Sequence, residues 1–508
     1  MIQNNANRVI FNTAVLYGQI VINMVISLVS VPLIMHALGA SDYGLYNLIA
    51  GVIGMLSFLN ASMTVSTQRF LSVSLGEKNQ EKSNRIYNNS LVLHLGLGLI
   101  LVVLFEACTL FLFDGFLKIE PDRIGTAKII YQFLVLTTFL TIISVPYGAV
   151  MNAKEDMLIF SVIGITDAVL KLLLALYLSH CPVDRLIVYG AGMALISFFT
   201  LMFNRLYVRF KYSEFKKNMR KYSDKETLKE QIGFMGWNTF GSIAMIGRNQ
   251  GVAIVMNQFF GTVLNAAYGV ANQINGVLGH FAQTFTKAIN PQLMQSEGKG
   301  DRQRLIRISL ISSKFSVLVL ALFMWPLIIE MPYVLKLWLT TPPEYTLRLS
   351  QMILLYSLVH MYSNGLMSSI QATGKIRNYQ ITMGLLLLTN VPVSYVLLKL
   401  GYPPYYATAG FVVIEIISLV VRMFMAQKLV GLEVSLFIKK VIVPTLITMA
   451  ISIVVCLVPH YLMPSSFIRL VIVCAVYAIA YCALVWFVSL NGDERNIFAN
   501  LFRKIIKR

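Results

Sequence analysis

Apolar runs of about 20 residues, each long enough to cross a ~30 Å hydrocarbon layer as a helix, follow one another along almost the whole chain. They predict an all-α polytopic membrane protein of about fourteen spans. The spans centre on 12–35, 43–65, 88–112, 127–150, 157–179, 186–207, 232–256, 262–286, 309–330, 346–371, 379–399, 404–427, 436–459 and 466–489. Several are not apolar all round. Span eight carries Asn265, Tyr268, Gly269, Asn272, Asn275, Gly276, Gly279, Gln283, Thr286 and Asn290 at helical spacing. Span two repeats the theme with Asn47, Gly51, Gly54, Ser57, Ala61, Thr64 and Gln68. Span one offers Gln19, Asn23, Ser27 and Ser30, and span seven Asn238, Gly241, Ala244, Arg248 and Gly251. A lipid-facing helix is apolar all round, so a polar stripe marks a face turned to protein or water. Small-residue packing accounts for the glycines. The number of amides in span eight favours an aqueous cavity.

The stripes are also copies. Tyr43-Gly44 precedes Gly51-Val52-Ile53-Gly54 just as Tyr268-Gly269 precedes Gly276-Val277-Leu278-Gly279, 225 residues later. Gln132 and Asn152-Ala153 of span four are echoed by Gln351 and Gln371-Ala372 of span ten. Span one then matches span seven, and the chain divides as six plus six plus two. Each repeat holds an even number of spans, so the two run in the same direction, as pseudo-twofold-related lobes with a cavity between them. The expected parts are an N-terminal six-helix lobe (1–210), a basic cytoplasmic linker (211–231), a C-terminal six-helix lobe (232–430), helices 13 and 14 (431–490), and a tail (491–508). In the tail Ile497, Phe498, Leu501, Phe502, Ile505 and Ile506 share one face of a helix suited to the membrane interface.

Composition supports the membrane reading: the chain is 57% hydrophobic and 13% charged, against roughly 45–50% and 25% in soluble proteins. A net charge of +19 would suit nucleic acid only on a folded soluble domain, and no segment can form one. Most of the 42 lysines and arginines fall instead on the N-terminus, alternate loops and the C-terminal tail. That is the positive-inside pattern, and it places both termini in the cytoplasm. Arg8 precedes a first span too long for a signal core and without a small-residue cleavage site, so this span is expected to stay as an anchor. The five cysteines (Cys108, Cys181, Cys456, Cys474, Cys482) lack metal-ligand spacing and read as packing residues. No HExxH, P-loop, CxxC or GxSxG arrangement appears, and the non-cytoplasmic loops are too short for a catalytic domain. Neither an enzyme nor a cofactor or metal is expected.

Charges inside spans are the sharpest candidates for function. Arg248, past the middle of span seven, costs about 2.5–3.5 kcal/mol even on the lenient insertion scale. Glu415 of span twelve, backbone carbonyls or an anionic substrate group could compensate it; guanidinium suits phosphate by its bidentate geometry. Asp167 and Lys171, one turn apart in span five, and Glu415 with Arg422 read as structural ion pairs or ion-coupling groups. Glu106 and Lys314, near span ends, are expected to snorkel. His94, His280 and His360 read as hydrogen-bonded packing histidines.

Several stretches carry a family resemblance: Leu38-Gly39-Ala40-Ser41-Asp42-Tyr43-Gly44-Leu45-Tyr46, Gly247-Arg248-Asn249-Gln250-Gly251, Ala288-Ile289-Asn290-Pro291-Gln292, and Leu335-Lys336-Leu337-Trp338-Leu339 with Pro343-Glu344-Tyr345. In order and spacing they resemble the polysaccharide-flippase branch of the multidrug/oligosaccharidyl-lipid/polysaccharide (MOP) exporter superfamily, related to the MATE transporters. The resemblance implies a MATE-like two-lobe fold in a bacterial inner membrane and export of undecaprenyl-diphosphate-linked oligosaccharides by alternating access. Such export feeds O-antigen, capsule or exopolysaccharide assembly. It implies a cavity whose cationic residues hold the sugar or pyrophosphate, a role Arg248 fits. The polar stripes add the expectation that the span-eight amides Asn265, Asn272, Asn275 and Gln283 contact sugar hydroxyls, with Asn238, Asn23 and Asn47 lining the same cavity. A coupling cation (Na⁺ or H⁺) or the membrane potential would drive transport, the partners being substrate and lipid rather than nucleic acid, with the chain a monomer. The alternative is a cation-coupled MATE-type multidrug antiporter. That branch often has an acidic residue in the first or seventh span, and here both spans lack one.

Overall fold

The computed structural model describes residues 2–54, 57–113, 119–339, 341–492 and 494–496. Among the described residues every regular element is helical: α1 (Ile2–Gly54), α2 (Ser57–Gly76), α3 (Gln80–Phe111), α4 (Ile124–Ala153), α5 (Met157–Leu178), α6 (Arg185–Lys211), α7 (Met219–Tyr222), α8 (Lys225–Gly298), α9 (Arg302–Ile329), α10 (Met331–Leu339), α11 (Thr346–Tyr362), α12 (Asn364–Thr373), α13 (Arg377–Leu388), α14 (Asn390–Lys399), α15 (Tyr405–Val430), α16 (Val434–Phe437), α17 (Val443–Leu462) and α18 (Phe467–Leu484). The apolar face expected for residues 497–508 lies outside the described residues.

Ten helices among the described residues are long and apolar enough to cross a membrane. The four expected spans outside that set are two, seven, eight and ten. Span ten is divided between α11 and α12. Span two is interrupted by residues 55–56, which lie outside the described residues, while spans seven and eight are helical but carry polar stripes that lower their mean hydropathy. Spans seven and eight thus depart from lipid-facing cylinders where the sequence places a face turned to water or protein.

Two glycines divide the longest helices. α1 breaks at Gly39 (φ 78°, ψ 166°) and α8 at Gly261 (φ 74°, ψ −167°). This backbone region is open to glycine and strained for residues with a Cβ. The breaks fall where span one gives way to span two and span seven to span eight.

Contacts gather the chain into two units: Asn12–Thr239, and Phe240–Arg508 with Met1–Phe11. In the N-terminal unit, α4 packs on α6 where Gly190 leaves room for Ile130 and Phe133, and Tyr131 is fully buried with its hydroxyl donating to the Phe105 carbonyl at 2.6 Å. At one end, Arg123 is held between Asp42 and Asp184, tying together the segments before spans two, four and six.

At the basic end, the segment after α6 is docked by asparagines of α3. Asn84 accepts from the Lys216 N–H at 3.0 Å, and Asn88 donates to the Lys216 carbonyl at 2.8 Å while accepting from the Asn218 N–H at 2.9 Å. Asn89 makes the same two-way contact with Asp224. Phe215 inserts beside Tyr87, Lys154 pairs with Glu214 at 2.8 Å, and Asp156 accepts from Lys211, Tyr207 and Tyr212. Asn88→Ala would strand the linker's peptide groups, at about 1–3 kcal/mol. Limited trypsin digestion should then cut after Lys216 and Lys217 faster than in the wild type, and equal rates would refute the docking role. Burial alone would raise the Asp156 and Glu214 carboxyls, but hydrogen bonds and positive charge outweigh it and hold both below their ordinary values of 3.8 and 4.5. Depressed carboxylates stabilise the fold above those values and lose that contribution as the pH falls below them. Docking should therefore be complete at neutral pH and loosen only in acid.

In the C-terminal unit, one core gathers Val252, Met256, Leu264, Tyr268, Ile353 and Phe411. The start of α12 presses on α9, with Ser309 donating to the Gly365 carbonyl at 2.8 Å and Gly365 donating to Ser313 at 3.0 Å; a Cβ at Gly365 would overlap the Ser309 backbone. The last two long helices are fastened to α9 at three heights. Glu330, fully buried, accepts from His460 at 2.7 Å and Arg469 at 2.8 Å. Tyr477 and Tyr481 donate to the carbonyls of Ala321 and Leu318, both at 3.0 Å. Lys314 meets Glu494 at 2.9 Å and the Ser489 carbonyl at 3.1 Å. The expectation that Lys314 snorkels is thus corrected: its ammonium is buried, and a buried charge is kept by pairing. Glu106 does stay exposed, accepting from Gln132.

Candidate functional site

Span eight, the part of α8 after Gly261, turns polar groups outward. Gly269, Asn272, Gln273, Gly276, His280, Gln283 and Lys287 are exposed, at spacings of three and four residues, while Leu264, Ala267, Tyr268, Ala271 and Ala282 are buried on the other side. Asn265 and Asn275 are half-buried, and their side-chain oxygens have no hydrogen-bond partner. No aspartate or glutamate occurs in this helix before Glu297. The exposed face therefore offers amides, imidazole and ammonium, all able to donate to hydroxyls and anions.

The N-terminal unit repeats the arrangement with fewer polar groups. Gly44, Asn47, Gly51, Gly54 and Ala61 are exposed along span two. The equivalent asparagines behave alike: Asn47 donates to the Tyr43 carbonyl at 2.8 Å and Asn272 to the Tyr268 carbonyl at 3.0 Å. Of span one, Asn23 is half-buried with its side-chain oxygen lacking a partner, and Gln19 lies against Gly164 of α5. Asn238 is buried and donates to the Phe234 carbonyl one turn back at 3.1 Å. The structure thus places Asn272, Gln283 and Asn47 on exposed faces and Asn238 in an interior.

Arg248 lies inside the C-terminal unit, 4% exposed. Its Nη1 donates to the Tyr356 hydroxyl at 2.9 Å, and its Nε and Nη2 donate to Asn249 at 3.1 and 2.8 Å. The guanidinium stands over the rings of Tyr356 and Phe411, 4.7 and 4.9 Å from their centroids, within cation–π range. The segment around it packs closely because Gly251 meets Val391 and Gly384 meets Phe240. Glu415, one of the groups expected to compensate Arg248, is bound elsewhere: it pairs with Arg422 and with His360 at 2.9 Å. Arg422 also donates to Ser363 at 3.0 Å. His360 stacks on Tyr356, centroids 5.9 Å apart. Two polar groups, Arg248–Tyr356 and His360–Glu415–Arg422, thus lie side by side across α8, α11 and α15, joined by the stacking of the Tyr356 and His360 rings. Together they contain two permanent cations and one carboxylate.

The N-terminal unit has its own charged pair. Lys171 lies 2.7 Å from Asp167, and Thr200 of α6 donates to Asp167 at 3.3 Å. Among the described residues no three His, Cys, Asp or Glu side chains converge to hold a metal ion. The sequence reading missed Tyr356, Phe411 and Asn249 around Arg248, and Gln273 and Lys287 on the stripe. Lys287 had a legible signal, being one turn beyond Gln283. An aromatic partner on a distant span had none.

The MatE family model matches residues 16–177, a stretch within the N-terminal unit. No curated protein sequence matches the chain. Solved structures of similar fold include a multidrug resistance MATE family transporter of the MOP superfamily in an outward-facing conformation, with 14% identity and a TM-score of 0.70 over 84% of this chain and 96% of that one. A MATE protein in the straight conformation has 12% identity and a TM-score of 0.71 over 84% and 96%. A MOP superfamily transporter from Pyrococcus furiosus, described by the reversed polarity of its binding pocket, has 14% identity and a TM-score of 0.69 over 83% and 95%. The chain is a multi-pass membrane protein with the MATE fold.

Proposed function

Starting from the MATE fold, we propose that this chain is a MOP-superfamily exporter acting on undecaprenyl-diphosphate-linked oligosaccharides in a bacterial inner membrane. The observation that carries this reading is the outward face of span eight. It is rich in amides, carries His280 and Lys287, and contains no carboxylate before Glu297. Such a face suits sugar hydroxyls and phosphate oxygens and offers no anionic partner to a cationic drug. The two repeated units would expose the headgroup to alternate sides while the prenyl chain stays in lipid. Arg248 then acts as a fixed positive charge, held by aromatic rings, that favours the diphosphate. The Pyrococcus furiosus transporter gives precedent for this fold hosting a pocket of reversed polarity.

A second reading, the cation-coupled multidrug antiporter, has one observation in its favour. Asp167, with Thr200 beside it, is a partly exposed carboxylate in the N-terminal unit, as cation exchange would require. Proteoliposomes separate the two. With a fluorescent undecaprenyl-diphosphate oligosaccharide, the protein should speed leaflet crossing well above that of empty vesicles. Failure to do so, with a cationic dye moving against an imposed Na⁺ or H⁺ gradient, would sink the flippase reading.

A further inference from the structure

Positive charge at one end of a membrane protein follows from topology, and topology needs only its amount. The linker after α6 shows more than that, because its backbone is pinned. Asn84, Asn88 and Asn89 hold the peptide groups of Lys216, Asn218 and Asp224. Phe215, buried, packs its ring against Tyr87. Fixing a backbone costs conformational entropy, and orienting the chain does not require it.

Pinning sets out a row of lysines. Lys216, Lys217, Lys221, Lys225 and Lys229 are exposed and, among the described residues, pair with no carboxylate. Other cations at the same end are already paired: Lys82 with Glu77, Arg85 with Glu81, Lys154 with Glu214 and Lys211 with Asp156, all within 2.9 Å. The Asp224 carboxylate is turned to the start of α8, where it accepts from the Thr227 N–H and hydroxyl at 3.1 and 2.5 Å. Glu226 and Glu230 are exposed beside the lysines. From Lys216 to Glu230 six basic residues stand against three acidic ones, so the row keeps an excess of cations.

The surrounding helices fix the depth of this row. Exposed large apolar side chains begin at Val92 on α3 and at Ile232 on α8, and end at Phe210 on α6. They mark the edge of the hydrocarbon layer. Asn88 and Asn89 lie four and three residues before Val92, about 4.5–6 Å along the helix. Lys229 lies three residues before Ile232, about 4.5 Å, and Lys225 one turn further out. The headgroup layer is about 5–8 Å thick on each side. The pinned segment therefore stands at the level of lipid phosphates, and depth rather than charge selects its partner.

We propose that the docked linker is a preorganised site for anionic lipid headgroups in the leaflet at this end of the molecule. Its lysines take lipid phosphate, for which ammonium groups are suited donors. Holding the backbone in place lowers the ordering cost of binding, so the asparagines of α3 are positioning residues for the site. The site does not depend on which substrate the protein carries.

The test uses full-length protein in nanodiscs of equal parts phosphatidylglycerol and phosphatidylcholine, with the lipids that stay bound counted by native mass spectrometry. The wild type should retain phosphatidylglycerol over phosphatidylcholine at least about twentyfold, the effect of two lysines at about fivefold each. Lys216→Gln with Lys217→Gln, and Lys225→Gln with Lys229→Gln, should each lower that preference about fivefold or more. The corresponding arginine pairs should keep it, and Lys82→Gln, at a lysine already paired with Glu77, should change it little. Asn88→Ala keeps every charge, yet should lower the preference at least about threefold, because the lipid must then order the lysines itself. Asn84→Ala serves the same purpose where Asn88→Ala yields too little protein. No preference in the wild type would overturn the site. So would a loss with Lys82→Gln as large as with the linker pairs, which would leave only the basic charge of this end. Asparagine variants that release the linker to trypsin but keep the wild-type preference would overturn it too, since disordered charge would then suffice. Displacement of the retained lipid by equimolar hexaglutamate would assign the lysines to an acidic protein segment and overturn the lipid assignment.

Discussion

Glu415→Ala should cost about 3–5 kcal/mol of stability, because it strands a buried guanidinium. Glu415 and Arg422 have side-chain exposures of 1% and 3% and pair directly across two turns of α15, while His360 reaches Glu415 from α11. Removing the carboxylate leaves Arg422 with neutral partners only, Ser363 among them. The expected result is a sharp drop in detergent-extractable folded protein and a lower melting temperature. Glu415→Gln should be milder, since an amide oxygen can still accept from Arg422. The decisive comparison is Glu415→Ala combined with Arg422→Leu. Replacing both members of a buried pair by apolar groups is often close to neutral, so the double variant should regain much of what the single one loses. A double variant as unstable as Glu415→Ala would show that the loss comes from packing rather than from the stranded charge.

The membrane architecture was legible because hydrophobic length is a coarse signal: expected spans such as 157–179 and 404–427 fall on α5 and α15 within a residue or a few. The likeness of spans two and eight was legible in local chemistry, since Asn47 and Asn272 make the same bond to the tyrosine one turn before each. Pairs within one helix could also be read, since Asp167–Lys171 and Glu415–Arg422 follow from helical geometry alone. Contacts between distant spans could not. Nothing in the sequence says that the guanidinium of Arg248 will rest on Tyr356 and Phe411 rather than on Glu415, because aromatic residues at helical spacing look like any other core. Linker docking was hidden for a related reason: Asn84, Asn88 and Asn89 bind backbone groups, which every residue has. The fate of Lys314 depended on Glu494, 180 residues away.

Arg248→Met should abolish transport while leaving stability within about 1 kcal/mol of wild type, a combination that separates a working residue from a structural one. Two opposed terms set the stability. The variant gives up the hydrogen bond to Tyr356 and the stacking on two rings, worth about 1–2 kcal/mol together. It also removes a cation, 4% exposed, whose direct contacts are all uncharged, and exchanging buried charge for an apolar side chain is often neutral or stabilising. The terms offset. An arginine kept at such a site contributes little to folding, so its use is to be sought in transport. Arg248→Lys should retain the charge but lose the two-point contact with Asn249, and should transport at an intermediate rate. Leaflet crossing in proteoliposomes and melting temperature, measured on the same preparations, decide the matter. Wild-type crossing by Arg248→Met would remove Arg248 from the transport machinery. A loss of more than about 3 kcal/mol would make it a structural residue after all, of the kind whose removal leaves buried groups unpaired.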